Sequence, residues 1–229
     1  MLKDNLQEVE SRVSEACMRA DRSRDEVLLI AVSKTKPVEM VREIYEAGVR
    51  DFGENHPQEI REKFPEFPSD TNWHMIGHLQ TNKVKYIIER ACMVHSVDSI
   101  HLAEAISKAA IKCRRCMPVL AEVNMAKEAS KYGIMPEDTE DFVRQLAVLP
   151  GIHVEGLMTI APYTENAEEN RIYFRDMKKL FVDIREKNID NVNIQHLSMG
   201  MTGDFEVAIE EGATMIRVGT GIFGARNYH

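Results

Sequence analysis

The chain has 229 residues, 44% hydrophobic and 29% charged, with 29 Lys+Arg against 37 Asp+Glu and a formal net charge of −8. That balance excludes collagen-like, disordered and disulfide-scaffold classes, and it argues against duplex nucleic acid, whose phosphates need a basic field. A chain of this size buries on the order of 70% of its extended-chain surface, enough for one domain with a core of its own.

The N-terminus, MLKDNLQEVESRVSEACMRADRSRDE, is charged throughout and lacks the apolar stretch of a signal peptide. No run approaches the roughly 18 apolar residues of a membrane helix, so a cytoplasmic chain with no membrane partner is expected. Leu6, Val9, Val13, Ala16 and Ala20 recur at helical spacing and predict an opening helix over about residues 3 to 20. LLIAVS (28–33) then reads as a strand covered on both faces, the pattern of a parallel sheet.

The alternation repeats along the chain. Helices are predicted over 37–47, 55–63, 81–89, 99–111, 136–146, 165–185 and 204–210. Between them lie the strand runs VRDFG, NWHMIG, ACMVHSV, MPVLAEVN, IHVEGLMT, NIQHLSMG and TMIRVGT. Eight strands alternating with helices predict an α/β fold, a single (β/α)₈ TIM barrel over 1–229, with an extra N-terminal helix and link over about 1–24. The remaining stretch of about 205 residues gives roughly 26 per unit, which is tight but adequate. The competitor, a doubly wound sheet, is weakened because no G-x-G-x-x-G follows the first strand.

Four cysteines occur, and Cys113 and Cys116 form a C-x-x-C between a helix pattern and a strand. A zinc site would need a second half that the sequence lacks, so reduced structural thiols are expected.

A barrel places its chemistry in the loops after the strand C-termini. Lys34 follows an apolar strand directly. A lysine against apolar walls has its charged form disfavoured, which suits Schiff-base formation, although a solvated lysine at a strand end is the plain alternative. Lys36, beside Pro37, is the local rival. Ser198 and Thr202 supply hydroxyls near Gly200, Gly203, Gly219 and Gly221, a pattern that suits either a phosphate cradle or tight turns. Arg217 sits between apolar residues and needs an acceptor: an internal carboxylate such as Glu122 or Glu155, or a ligand's ring nitrogen or phosphate. Together the three features suit pyridoxal 5′-phosphate (PLP).

The strings AVSKTKP, FGEN, WHMIGHLQTNK, VNMAKEASKYG, EGLMTIAP and HLSMGMTGDFEVAIEEGATMIRVGTGIFGAR run in order from residue 31 to 226. On these motifs the chain resembles the PLP homeostasis protein family (the YggS/PROSC group), whose fold is like the N-terminal barrel of alanine racemase, the fold type III PLP barrel. The resemblance implies that Lys34 carries PLP as a Schiff base and that Arg217 faces the pyridine nitrogen. It further implies that Ser198, Gly219 and Thr220 hold the phosphate, with Asn55 and Met199 near the ring. Thr202 stands where the family commonly has Ser, and His56-Pro57 after FGEN is unusual.

The resemblance implies a role in intracellular PLP and amino-acid homeostasis without catalytic turnover, with amino acids and PLP-dependent apoenzymes as possible partners. The alternative is a PLP-dependent amino-acid racemase using His78, Tyr163 or His196 as a second base. Racemases of this type resemble two-base enzymes completed by a C-terminal β domain of the partner subunit, and His229 follows the last motif by three residues. A non-catalytic monomer is therefore the expectation. A sugar-phosphate barrel enzyme is a third class, and it predicts a colourless protein.

Overall fold

The computed structural model describes residues 1–225. Arg226, which closes the last sequence motif, and the rest of the 1–229 domain lie outside the described residues. Eight strands form a closed barrel in sequence order: β1 (Leu28–Val32), β2 (Asp51–Glu54), β3 (Asn72–Met75), β4 (Ala91–Val97), β5 (Met117–Glu122), β6 (Ile152–Met158), β7 (Val192–Met201) and β8 (Met215–Val218). Every pairing is parallel, including β1 with β8, which closes the ring. The expected eight-stranded barrel is the observed fold.

Alternation along each strand divides the core in two. Ile30, Met93, Leu120, Met158 and Met215 point inward and fill the apolar part of the barrel's interior. Leu29, Ala31, Phe52, Leu197, Ile216 and Val218 point outward and pack under the helical ring. That ring comprises α2 (Val38–Glu46), α3 (Pro57–Lys63), α4 (Ile100–Lys112), α5 (Thr139–Ala147), α6 (Arg171–Glu186), α7 (Phe205–Glu210) and the short α8 (Thr220–Phe223).

The opening helix, α1 (Leu2–Arg19), lays Leu6, Val9, Val13 and Ala16 against α7 and α8. Arg12 and Arg19 reach Glu206 at 2.7 and 2.8 Å, and the Asn5 side-chain amide donates to the Ile222 carbonyl at 3.0 Å. These ion pairs are partly exposed and contribute little, so the apolar stripe does the docking.

The expected helix over 81–89 is instead a 3₁₀ segment, Thr81–Tyr86. Its threefold period puts Val84 and Ile87 on one side, and both are buried together with Ile88. The expected start at Glu165 also moves: a 3₁₀ turn (Ala167–Asn170) precedes α6, with the Asn166 side chain accepting the Glu168 N–H at 3.2 Å. α8 was not anticipated, because four residues give no periodicity to read.

Candidate functional site

The chain leaves β1 through Ser33-Lys34-Thr35, and that loop is clamped on both sides of the lysine. Ser33 Oγ donates to Glu54 Oε1 at 2.6 Å, and Lys63 Nζ donates to both the Ser33 carbonyl and Glu54 Oε1 at 2.8 Å. The Thr35 N–H donates to Glu59 Oε1 at 2.6 Å, which holds Thr35 at φ +62°. The Lys63 and Glu54 side chains are 7% and 0% exposed. Burial pushes the Glu54 carboxyl up to about 7, against the pull of Lys63 and Ser33. Lys34 itself is half-buried and faces a cleft of about 760 Å³ at the C-terminal end of the strands. Lys36 turns elsewhere: its ammonium donates to the carbonyls of Phe223 and Gly224 at 3.1 and 3.2 Å and so caps α8. The two rival lysines therefore face different surroundings.

Asn55, just beyond β2, also lines the cleft. Gly77 makes its placement possible, because a Cβ at Gly77 would lie 2.5 Å from the Asn55 carbonyl oxygen. His56-Pro57 gives a clean helix start: His56 is extended (φ −115°, ψ 124°) and Pro57 takes the first helical position, where it lacks only an N–H that has no helical acceptor.

Arg217, inward-facing on β8 and 4% exposed, lines the cleft opposite. It donates to Ser198 Oγ at 2.5 Å and to the Thr159 carbonyl at 2.9 Å. Its acceptors are thus a hydroxyl and a carbonyl, and among the described residues neither Glu122 nor Glu155 forms an ion pair with it. Burial lowers the guanidinium to about 10, partly offset by Glu122 and Asp204. It remains cationic at neutral pH. Glu122, at the end of β5, lines the same cleft at 5% exposure, and its Oε2 has no hydrogen-bond partner. Burial raises its carboxyl to about 7, helped by Asp98 and opposed by Arg217.

The last two strand ends meet at Thr202. Its Oγ1 accepts the N–H groups of Gly219 and Gly221 at 3.2 and 3.3 Å, and Thr202, Gly203, Gly219 and Thr220 all line the cleft. The turn that carries Thr202 is fixed by Asp204, which accepts the Met201 N–H at 2.7 Å and the Asn170 amide at 2.8 Å.

Five of the seven expected site residues thus share one cleft: Lys34, Asn55, Arg217, Gly219 and Thr220. Ser198 and Met199 do not line it. Ser198 is 0% exposed, with its hydroxyl turned to Arg217 and to His95 Nδ1 at 3.0 Å beneath the cleft. Met199, its neighbour on the strand, points the opposite way into the core under the helices. The β7–β8 register shifts between Ser198 and Met201, and Gly200 there has φ +91° with no room for a Cβ, 2.5 Å from the Ala208 methyl. That irregularity lifts Thr202, rather than Ser198, to the cleft. Thr202 and Glu122 are two polar lining residues that stood outside the expected set.

The C-x-x-C cysteines are thiols, Cys113 at the C-cap of α4 and Cys116 exposed. Among the described residues no group of three or more His, Cys, Asp or Glu side chains is placed to hold a metal.

Comparison with known proteins fits this geometry. The family described as "Alanine racemase, N-terminal domain" matches residues 4–227. A pyridoxal phosphate homeostasis protein of Aquifex aeolicus is 44% identical over 226 residues, covering 98% of each chain. One from Pseudomonas aeruginosa is 40% identical over 228 residues, covering 99% of this chain and 96% of its own. The chain belongs to the pyridoxal phosphate homeostasis protein family. Among solved structures, PipY of Synechococcus elongatus with PLP bound superposes with a TM-score of 0.82 at 34% identity, covering 98% of this chain and all of that one. Against the family pattern given above, Thr202 keeps the hydroxyl at the cleft and adds a methyl. That methyl faces Gly221, where an added Cβ would lie 3.2 Å from it.

Proposed function

We propose that this chain holds PLP in the cleft on Lys34 and serves intracellular PLP and amino-acid homeostasis without turnover of its own. The observation that carries the reading is the convergence of Lys34, Arg217 and the Thr202–Gly219–Thr220 turn in one cleft. PipY, at 34% identity, has been solved with PLP bound. The donor set fits the molecule: an amine for the aldehyde, hydroxyl and backbone groups for the phosphate, and a cation for the ring nitrogen. The cleft volume lies in the range of small-ligand sites.

Bound PLP supplies an aldehyde carbon that an amine can attack and a ring that draws electrons. The chain's own groups set how far that chemistry goes. The clamp on Ser33 and Thr35 aims Lys34 into the cleft. Thr202 fixes the Gly219 and Gly221 amides, which rigidifies the turn where a phosphate would sit. A permanent cation at the ring nitrogen keeps that nitrogen unprotonated and weakens the electron sink, which supports a holding role over catalysis. Of the three candidate second bases, only His78 lines the cleft; it pairs with Asp98 at 3.3 Å and stacks on Tyr132 at 3.8 Å. Tyr163 is 93% exposed, and His196 lies 3.7 Å from Glu155.

Among the described residues no helix is long and apolar enough to cross a membrane. A cytoplasmic monomer that exchanges PLP with apoenzymes completes the proposal. Incubating the PLP-loaded protein with L-alanine and L-serine and following both enantiomers by chiral chromatography tests it. The expected result is a yellow protein with no change in enantiomer ratio. Turnover at a few per second contradicts the holding role, and a protein that stays colourless with PLP contradicts the site.

A further inference from the structure

A continuous file of polar side chains runs through the barrel from the half-buried Asp51 at its far end to the buried Arg217. Asp51, the first residue of β2, has Oδ1 2.9 Å from His74 Nε2. His74 Nδ1 lies 3.0 Å from His95 Nε2, and His95 Nδ1 lies 3.0 Å from Ser198 Oγ, which accepts the Arg217 hydrogen bond. His74 and His95 are 3% and 0% exposed and meet edge to face at 5.1 Å. They share the interior with Ile30, Met93, Leu120, Met158 and Met215. Taking two imidazoles out of water is costly unless each nitrogen is partnered, and an apolar pair would fill the same volume without that cost.

With one proton on His74, chemistry places every hydrogen of the file. A guanidinium only donates, so Ser198 Oγ is an acceptor toward Arg217. The hydroxyl's own hydrogen then goes to His95 Nδ1, which leaves the His95 hydrogen on Nε2, donating to His74 Nδ1. The His74 hydrogen sits on Nε2 and faces Asp51. The four bonds run head to tail from a cation to an anion, each polarising the next. With a second proton on His74, the imidazole hydrogens between His74 and Ser198 reverse, and Ser198 accepts from both sides. Arg217 keeps its acceptor in either arrangement. Both need a neutral His95, and burial holds its pKa well below the usual imidazole value, helped by His74 and Arg217.

We propose that Asp51, His74, His95 and Ser198 form a positioning file that locks the Arg217 guanidinium at the cleft and thereby sets how tightly and at what angle the ring end of the bound ligand is held. The proposal rests on the reading of the cleft as a PLP site. Its test compares wild type with His95→Leu, His95→Gln and Asp51→Asn in the full chain, each loaded with PLP. The readouts are the rate of PLP release into a trapping apoenzyme, the visible band of the bound PLP, and urea stability.

His95→Leu is expected to release PLP about tenfold faster or more, the loss expected for a hydrogen bond supporting a charged group, and to shift the band. His95→Gln, whose amide oxygen can accept from Ser198, restores most of both, and Asp51→Asn gives the smaller effect. Release and spectrum unchanged in His95→Leu, with only stability lowered, overturns the file as a positioning device. Should His95→Leu fail to fold, ¹⁵N NMR of wild-type His95 with and without PLP decides: a moved Nδ1 resonance supports the coupling, and an unmoved one refutes it. A wild type that binds no PLP overturns the site reading, and the file's role with it. A wild type that binds PLP beside indifferent His95 variants overturns the file alone.

Discussion

The two sides of the cleft are built on opposite electrostatic plans. On the lysine side, a buried ion pair between Lys63 and Glu54 grips Ser33, and Glu59 grips the Thr35 amide. The charges act on the neighbours of Lys34 and set the direction of its backbone. On the arginine side a hydroxyl and a carbonyl accept directly from the guanidinium, and a neutral His95 stands behind that hydroxyl. The difference follows from what each cation does. An amine that must shed protons to form a covalent bond benefits from a rigid backbone on both sides of it. A guanidinium that stays charged at neutral pH can be fixed directly and used as a constant field.

The largest expected effect breaks the lysine side. Lys63→Met leaves Glu54 buried without its cation, with only the Ser33 hydroxyl as partner, and should cost about 3–5 kcal/mol in urea unfolding. Adding Glu54→Gln should recover much of that loss, because the uncompensated charge is gone. A single mutant as stable as wild type would mean that the pair is not a clamp.

Next in size is Glu122→Gln, which probes the acid facing Arg217. In the folded chain its carboxyl titrates at about 7 against an ordinary 4.5, so the fold binds this proton more tightly than the unfolded chain does. That contribution is fully present below the ordinary value and is lost as pH rises to about 7. The amide should therefore stabilise by about 1–3 kcal/mol near pH 8 and change little near pH 4.5. A pH-independent difference would contradict the placement of the acid.

The smallest effect sharpens the phosphate end. Thr202→Val removes the acceptor for two backbone N–H groups and should cost about 1 kcal/mol of stability and weaken PLP binding more than pyridoxal binding. Thr202→Ser should be near wild type. Equal weakening of both ligands would place the phosphate elsewhere.

How much of this was legible in the sequence depends on the range of the signal. The eight strands were readable because parallel strands buried on both faces leave continuous apolar runs such as LLIAV and MIRV. Lys34, Arg217 and Gly219 stood out because strand C-termini in a barrel converge on one face, whereas Asn55 and Thr220 came from the family resemblance. Ser198 and Met199 could not both face inward, since adjacent strand residues point to opposite faces. Which hydroxyl reached the cleft turned on a bulge at Gly200 that no local pattern announces. His74 and His95 sit in ordinary strand runs. They acquire meaning only through contacts 21 and 103 residues apart in the chain. Glu122 was weighed only as a partner for Arg217. Its position at the end of β5, the same kind of place as Lys34 and Asn55, was the signal that could have put it at the site.

The central claim is that the half-buried Lys34, and not the α8-capping Lys36, carries PLP. Borohydride reduction of the PLP-loaded protein followed by peptide mass mapping tests it most directly. The account predicts the pyridoxyl mass on the peptide containing Lys34, located on that residue by fragmentation, and no labelled peptide or visible band in Lys34→Ala. A label on Lys36, or a Lys34→Ala protein that keeps its colour, would contradict it.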